Sequence, residues 1–197
     1  MIPRTVKMNY PISLGDTPTP AEKGKFWMSA AQHILTTGAQ HLEITGLRKG
    51  IGQRVNYIEC LTHALNEDPD NLKTYLALSY FEGWSSLKLS SPSGKVQLIT
   101  TASCYKKALQ LGLGKIPNEA AIYLLTKLAN PMSPDERVSF GEREWTRAEC
   151  FLKVLELLQP DTDNQRISEV LENIATSLPP EKRVVMGGNL SMLRDVI

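Results

Sequence analysis

Apolar residues recur at a spacing of three and four along several segments of the chain, which is the spacing of one face of an α-helix. Residues 21–37 give the first such face and residues 163–177 give the last. Between them, residues 72–82 and 119–129 show the same pattern. We therefore predict helices at these four segments, and further helices around the cysteines.

The first fourteen residues follow a different pattern, in which apolar residues alternate with polar ones. Alternation is the period of an extended segment with one buried face, and Pro3 and Pro11 exclude a helix through it. We predict an extended N-terminal arm over residues 1–20 that docks along the chain or along a partner. A disordered tail with coincidental alternation is the alternative. The candidate docking residues of the arm are Val6, Met8, Tyr10 and Ile12.

Three segments repeat one plan, and each contains one of the three cysteines. Cys60, Cys104 and Cys150 lie 44 and 46 residues apart (104 − 60 and 150 − 104). A regular spacing of this size is typical of repeat proteins in which each unit is one supersecondary motif. Equivalent positions in stacked helices are about 10 Å apart, beyond the disulfide reach of about 7 Å between Cα atoms. We therefore predict three buried, unpaired thiols.

The repeated segments resemble the tetratricopeptide repeat family, whose first helix carries the pattern W-x2-L-G-x2-Y. Trp27, Ala31 and Ile34 occupy positions of that pattern. The sequence ALNEDPDNLKTYLALS, residues 64–79, resembles the family's helix end, turn and next helix. The resemblance covers residues 21–178. It implies an all-α fold, a solenoid of three helical hairpins. The helical spacing at residues 163–177 predicts a C-terminal capping helix after them, and apolar residues beyond it predict an apolar tail at residues 179–197.

The units are about ten residues longer than the 34 residues of that family. The surplus falls at residues 41–53, 84–95 and 130–141, which are rich in glycine and proline and which we predict to be loops. Loops at equivalent places in stacked repeats emerge on one edge, where insertions often carry function. The candidate partner-binding residues on this edge are Arg48, Lys49, Trp84, Lys88, Lys95 and Trp145.

Charge and hydropathy narrow the functional classes. The net charge of +1, from 22 Lys and Arg against 21 Asp and Glu, gives no basic field of the kind that binds nucleic acid. No apolar run approaches the roughly 18 residues of a membrane span, and the first ten residues lack the apolar core of a signal peptide. These features predict a cytoplasmic protein without membrane insertion; an organellar or cytoskeletal assembly stays open.

No residue pattern indicates catalysis. The three histidines are not at metal-ligand spacing, and no serine or cysteine has the local pattern of a nucleophile. We therefore predict a non-enzymatic protein with no cofactor and no metal site. The predicted function is a protein–protein interaction adaptor, or a structural subunit of a multi-subunit complex, that binds partners through the solenoid groove and its loops. The alternatives are a chaperone or cochaperone that holds a partner's peptide tail, and an RNA-binding helical repeat.

Overall fold

The computed structural model describes residues 5–9, 18–45, 53–81, 83–90 and 96–178. Within these residues the chain forms seven helices and seven strands, divided between two compact units, Met1–Thr101 and Ala102–Ile197. The helices are α1 (Pro20–Thr37), α2 (Tyr57–Glu67), α3 (Leu72–Tyr80), α4 (Thr101–Gly112), α5 (Asn118–Ala129), α6 (Arg147–Leu157) and α7 (Asn164–Ser177). The strands are β1 (Thr5–Asn9), β2 (His41–Thr45), β3 (Gln53–Val55), β4 (Ser86–Ser90), β5 (Val96–Thr100), β6 (Arg137–Phe140) and β7 (Arg143–Thr146).

The all-α prediction is wrong, because each segment that we predicted to be a loop contains the first strand of a β-hairpin. The antiparallel pairs β2–β3, β4–β5 and β6–β7 each lie between two helices. The predicted solenoid of helical hairpins is therefore replaced by three repeats of helix, β-hairpin and helix, followed by α7. The shortest connection, between β6 and β7, has Gly141 at φ 65°, a left-handed conformation that glycine adopts without steric cost.

The three hairpins share one register when it is counted from the cysteine of each repeat. Val55, Ile99 and Trp145 lie on the second strands, five residues before that cysteine, and are all buried. On the first strand of each hairpin, one buried residue pairs with the residue seven before the cysteine. These first-strand residues are Ile44, Leu89 and Phe140. The repeat detected from the cysteines therefore extends through both strands of each hairpin.

The strand β1 adds a third strand to the first hairpin. It pairs with β2 in parallel, from Thr5 opposite His41 to Asn9 opposite Thr45, giving the order β1-β2-β3. Parallel neighbours require a crossover connection, and α1 lies in the connection between them. Val6 and Met8 are half-buried while the three residues around them are exposed. The alternation predicted for the arm is therefore present in β1.

Two of the helices that follow the hairpins begin with reciprocal caps. Asn56 accepts from the backbone N–H of Glu59, whose carboxylate accepts from the backbone N–H of Asn56 at 2.7 Å. Thr146 and Glu149 make the same exchange at the start of α6. These capping boxes satisfy backbone donors that have no partner inside the helix. Asn56 directly follows the last residue of β3, and Thr146 is the last residue of β7. Each cap therefore also fixes where the chain passes from hairpin into helix.

The cysteines sit inside the cores of the repeats. Cys60, Cys104 and Cys150 are the fourth residues of α2, α4 and α6. Each is 0% exposed and none forms a disulfide. The prediction of three buried thiols outside any disulfide is confirmed. In the first unit α1 packs on α2, and in the second α6 packs on α5 and α7. Among the described residues, no helix has the length and apolar character needed to cross a membrane.

Candidate partner-binding cleft

An open cleft of about 450 Å³ lies on the first unit. It forms where the C-terminal end of α1, the start of α2 and the end of α3 converge. No charged residue is among the described residues that line it. The lining residues are Ile34, Leu35, Gly38, Ala39, Gln40, Asn56, Tyr57, Ile58 and Phe81.

The walls of the cleft are buried, and its rim is apolar and exposed. Ile34 and Tyr57 are 4% and 9% exposed, whereas Leu35 and Phe81 on the rim are 50% and 37% exposed. The rings of Tyr57 and Phe81 lie 4.8 Å apart at a tilt of 42°, which is within the range of a favourable aromatic pair. Burial raises the pKa of the Tyr57 phenol, so this wall is neutral at physiological pH.

Several polar groups around the cleft are already engaged within the chain. Gly38 ends α1 in the left-handed conformation at φ 62°, and its N–H donates to the carbonyl of Leu35 at 3.3 Å. The N–H of Ala39 donates to the carbonyl of Ile34 at 3.2 Å. On the opposite side, the side chain of Asn56 caps α2. These bonds engage part of the polar lining internally, while Gln40 and Tyr57 add further polar groups, and the surface left for a ligand is mainly apolar.

A cleft of this kind stabilises a complex by removing apolar surface from water. Covering the exposed half of a leucine side chain contributes on the order of 1 kcal/mol. Aromatic side chains contribute more, because they combine a large apolar area with few rotatable bonds. Leu35 and Phe81 are therefore the residues through which an apolar side chain of a partner would gain most.

The two tryptophans that we proposed as binding residues have structural contacts. The indole N–H of Trp84 donates to the carbonyl of Leu78 at 3.0 Å, near the end of α3. Trp145, on β7, is 7% exposed. Its ring stacks on Phe140 with centroids 4.8 Å apart, and the guanidinium of Arg143 lies 3.7 Å from the ring centroid. Trp84 is half-buried and Trp145 is buried within its hairpin.

The other proposed binding residues divide between β1, β4 and segments outside the described residues. Val6 and Met8 lie on β1 with half-buried side chains, and Lys88 is exposed on β4. The structure does not bring Lys88 into the cleft. The remaining proposed residues, Tyr10, Ile12, Arg48, Lys49 and Lys95, lie outside the residues that the structure describes.

Sequence reasoning missed the residues that form the cleft. Leu35 was included in the predicted apolar face of the first helix, and Phe81 in the helix predicted at residues 72–82. The available signal was an apolar face on α1 that includes both Ile34 and Leu35. Neighbouring helical residues point about 100° apart, so one packing partner covers only one of these side chains.

The described residues contain no candidate metal centre. Over the described ranges, no group of three or more His, Cys, Asp or Glu side chains is arranged to hold a metal ion.

No protein-family model, curated protein or solved structure matches this chain. The resemblance to the tetratricopeptide repeat family therefore stays a prediction.

Proposed function

We propose that the chain is a non-catalytic protein–protein interaction subunit whose first unit holds an apolar segment of a protein partner in the cleft. The observation that supports this proposal is the uncharged cleft with Leu35 and Phe81 exposed on its rim. Apolar anchors of this kind carry a large share of the binding energy in protein interfaces. The proposed partner contributes an aromatic or branched apolar side chain that enters between α1 and α3.

The proposal favours a protein partner over a polar ligand because of how the polar atoms are used. The cap of Asn56 and the left-handed turn at Gly38 engage several of the polar groups beside the cleft. A nucleotide or sugar would need several unengaged donors and acceptors in a cleft of this size. An apolar side chain needs none and gains from the uncharged walls.

A charge placed on the rim tests the proposal. Leu35→Glu puts a carboxylate beside the apolar walls, where desolvation opposes its burial. Thr36→Glu makes the same change in charge on the neighbouring exposed residue of α1, which does not line the cleft. Tagged full-length chains carrying each change would be used to isolate complexes from the source cells, with quantitative mass spectrometry of the proteins retained.

We expect one or more proteins to be retained by the unchanged chain and by Thr36→Glu. We expect Leu35→Glu to deplete them at least about tenfold, because the complex would cover an unpaired carboxylate. Circular dichroism would confirm that both variants fold. Equal retention by both variants would contradict the proposal. A protein recovered this way would then be titrated against both purified variants, and equal dissociation constants would likewise count against the cleft.

A further inference from the structure

The first hairpin carries an additional parallel strand, and this pairing shows how a strand can be added to an equivalent hairpin. β2 is paired on both sides, by β3 and by the parallel strand β1. On the outward face, Lys7, Glu43 and Arg54 stand directly opposite one another across the three strands. The Nζ atom of Lys7 is 3.8 Å from the Oε2 atom of Glu43. The central pair between β1 and β2 is therefore one of opposite charge.

The second hairpin has the same register but only two strands among the described residues. Glu43 stands opposite Arg54 and Lys88 stands opposite Leu98. Arg54 and Leu98 each lie six residues before the cysteine of their repeat. Lys88 of β4 is therefore the equivalent of Glu43 of β2. The edge of β4 that corresponds to the β1-binding edge of β2 has no strand paired to it in the described part of the chain.

The chain lacks a local segment that could fill this edge in the same way. β1 precedes α1, and α1 leads into β2. The helix that leads into β4 is α3, which begins at Leu72, and α2 ends at Glu67. Asp68 and Asn71 in the short connection are engaged in capping the two helices. A strand of five residues does not fit between α2 and α3, so a third strand for β4 has to come from elsewhere.

The outward face of the second hairpin also differs from those of the other two. Leu98 is 58% exposed and Val96 is 60% exposed. The residues equivalent to Leu98 are Arg54 in the first hairpin and Glu144 in the third. Sheet edges are usually protected by charged residues, and exposed apolar patches mark interaction surfaces. Among the described residues the second hairpin therefore has an unpaired β4 edge, and Val96 and Leu98 form an exposed apolar patch on the neighbouring strand β5.

We propose that β4 accepts an extended segment of a partner protein as a parallel strand, and that the segment has an acidic residue between two apolar residues. The backbone direction and the apolar positions follow from β1, where Val6 and Met8 flank Lys7. The acidic residue follows from Lys88, which takes the place of Glu43 and reverses the charge required opposite it. Within the described residues no carboxylate is paired with Lys88. Such strand addition gains its affinity from main-chain hydrogen bonds and its selectivity from side chains.

Selectivity by charge also disfavours the N-terminal strand of a second copy as the occupant of this site. That strand would place Lys7 opposite Lys88, and like charges directly opposite one another in a sheet are destabilising. Replacing Lys7 by glutamate in the same peptide converts the repulsive pair to an attractive one. Because exposed charge pairs are weak, we expect a preference of about three- to tenfold for the acidic peptide.

Three fluorescent peptides and three forms of the full chain test the site by anisotropy titration. The peptides are residues 3–11, the same segment with Lys7→Glu, and the acidic peptide with alternate backbone nitrogens methylated. The proteins are the unchanged chain, Lys88→Glu, and Lys73→Glu as a control. Lys73 is an exposed residue of α3, so this control has the same net charge as Lys88→Glu.

We expect the acidic peptide to bind the unchanged chain and Lys73→Glu more tightly than the parent peptide, and Lys88→Glu to reverse the order. Methylation removes the donors of the ladder and should weaken binding at least about tenfold. The proposal is overturned if neither peptide binds, if Lys88→Glu keeps the original preference, or if the methylated peptide binds equally well. The site is independent of the cleft, so Leu35→Glu should leave peptide binding unchanged.

Discussion

Thiol labelling of the folded chain measures the burial of the repeated cysteines directly. Burial, with a smaller effect of Glu59, raises the pKa of Cys60 from its ordinary value of 9.0 to about 12. Burial and Glu149 raise the pKa of Cys150 in the same way, to about 12. At pH 8 a thiol of pKa 9 is about one-tenth ionised, and one of pKa 12 is about one ten-thousandth ionised. Because the thiolate is the reacting species, acidity alone slows labelling about a thousandfold.

The assay is a time course of maleimide labelling at pH 8, followed by proteolysis and mass spectrometry of each cysteine peptide. The chain unfolded in urea gives the reference rate for the same three thiols. We expect Cys60 and Cys150 to react at about one-thousandth of the reference rate or less, and Cys104 to be protected by its burial. Labelling of any of the three within about tenfold of the reference rate, in a chain with unchanged circular dichroism, would refute its buried position.

Three further predictions concern packing and pH. Ala64 and Ala108 are 0% exposed at equivalent positions, so Ala64→Leu or Ala108→Leu should overpack the core and lower the unfolding free energy by about 1–3 kcal/mol; unchanged urea midpoints would contradict this. His63 stacks on Trp27 with ring centroids 4.2 Å apart, and burial lowers the pKa of His63 below 6.5. As the pH drops, the unfolded chain therefore protonates His63 before the folded chain does, and the free energy of unfolding falls below pH 6.5. His63→Gln should reduce the fall in urea midpoint between pH 7 and pH 5. Cys60 and Cys150 affect stability at high pH, because the unfolded state loses their protons before the folded state does. The free energy of unfolding should fall above pH 9 by about 1.4 kcal/mol per pH unit for each thiol, and replacing both by alanine should flatten that slope.

The helices were predictable because they are long enough to show their period. The predicted segment 21–37 corresponds to α1, and the segments 72–82, 119–129 and 163–177 correspond to α3, α5 and α7 within one or two residues. The cysteine spacing located the second helix of each repeat. These signals are local, since a helical period repeats several times within one element.

The hairpins were not predictable in the same way because their strands are too short. β3 has three residues and β6 has four, so an alternating pattern has no length over which to repeat. Gly141 and its neighbours read as a loop, although this glycine forms the tight connection of a hairpin. The informative comparison was between repeats, since Val55, Ile99 and Trp145 occupy the same place before each cysteine.

The cleft depends on relations that no single segment contains. In α1, Ile34 is 4% exposed and Leu35 is 50% exposed, although both are apolar neighbours in the sequence. Hydrophobic spacing gives the width of an apolar face, and tertiary packing decides which part of that width is covered. Phe81 lies one residue beyond α3, and its ring reaches Tyr57 only because α2 and α3 pack together. The sequence signal for such a cleft is therefore a helix whose apolar face is wider than the element that packs on it. The site becomes identifiable only when a second element places another exposed apolar side chain beside that uncovered part of the face.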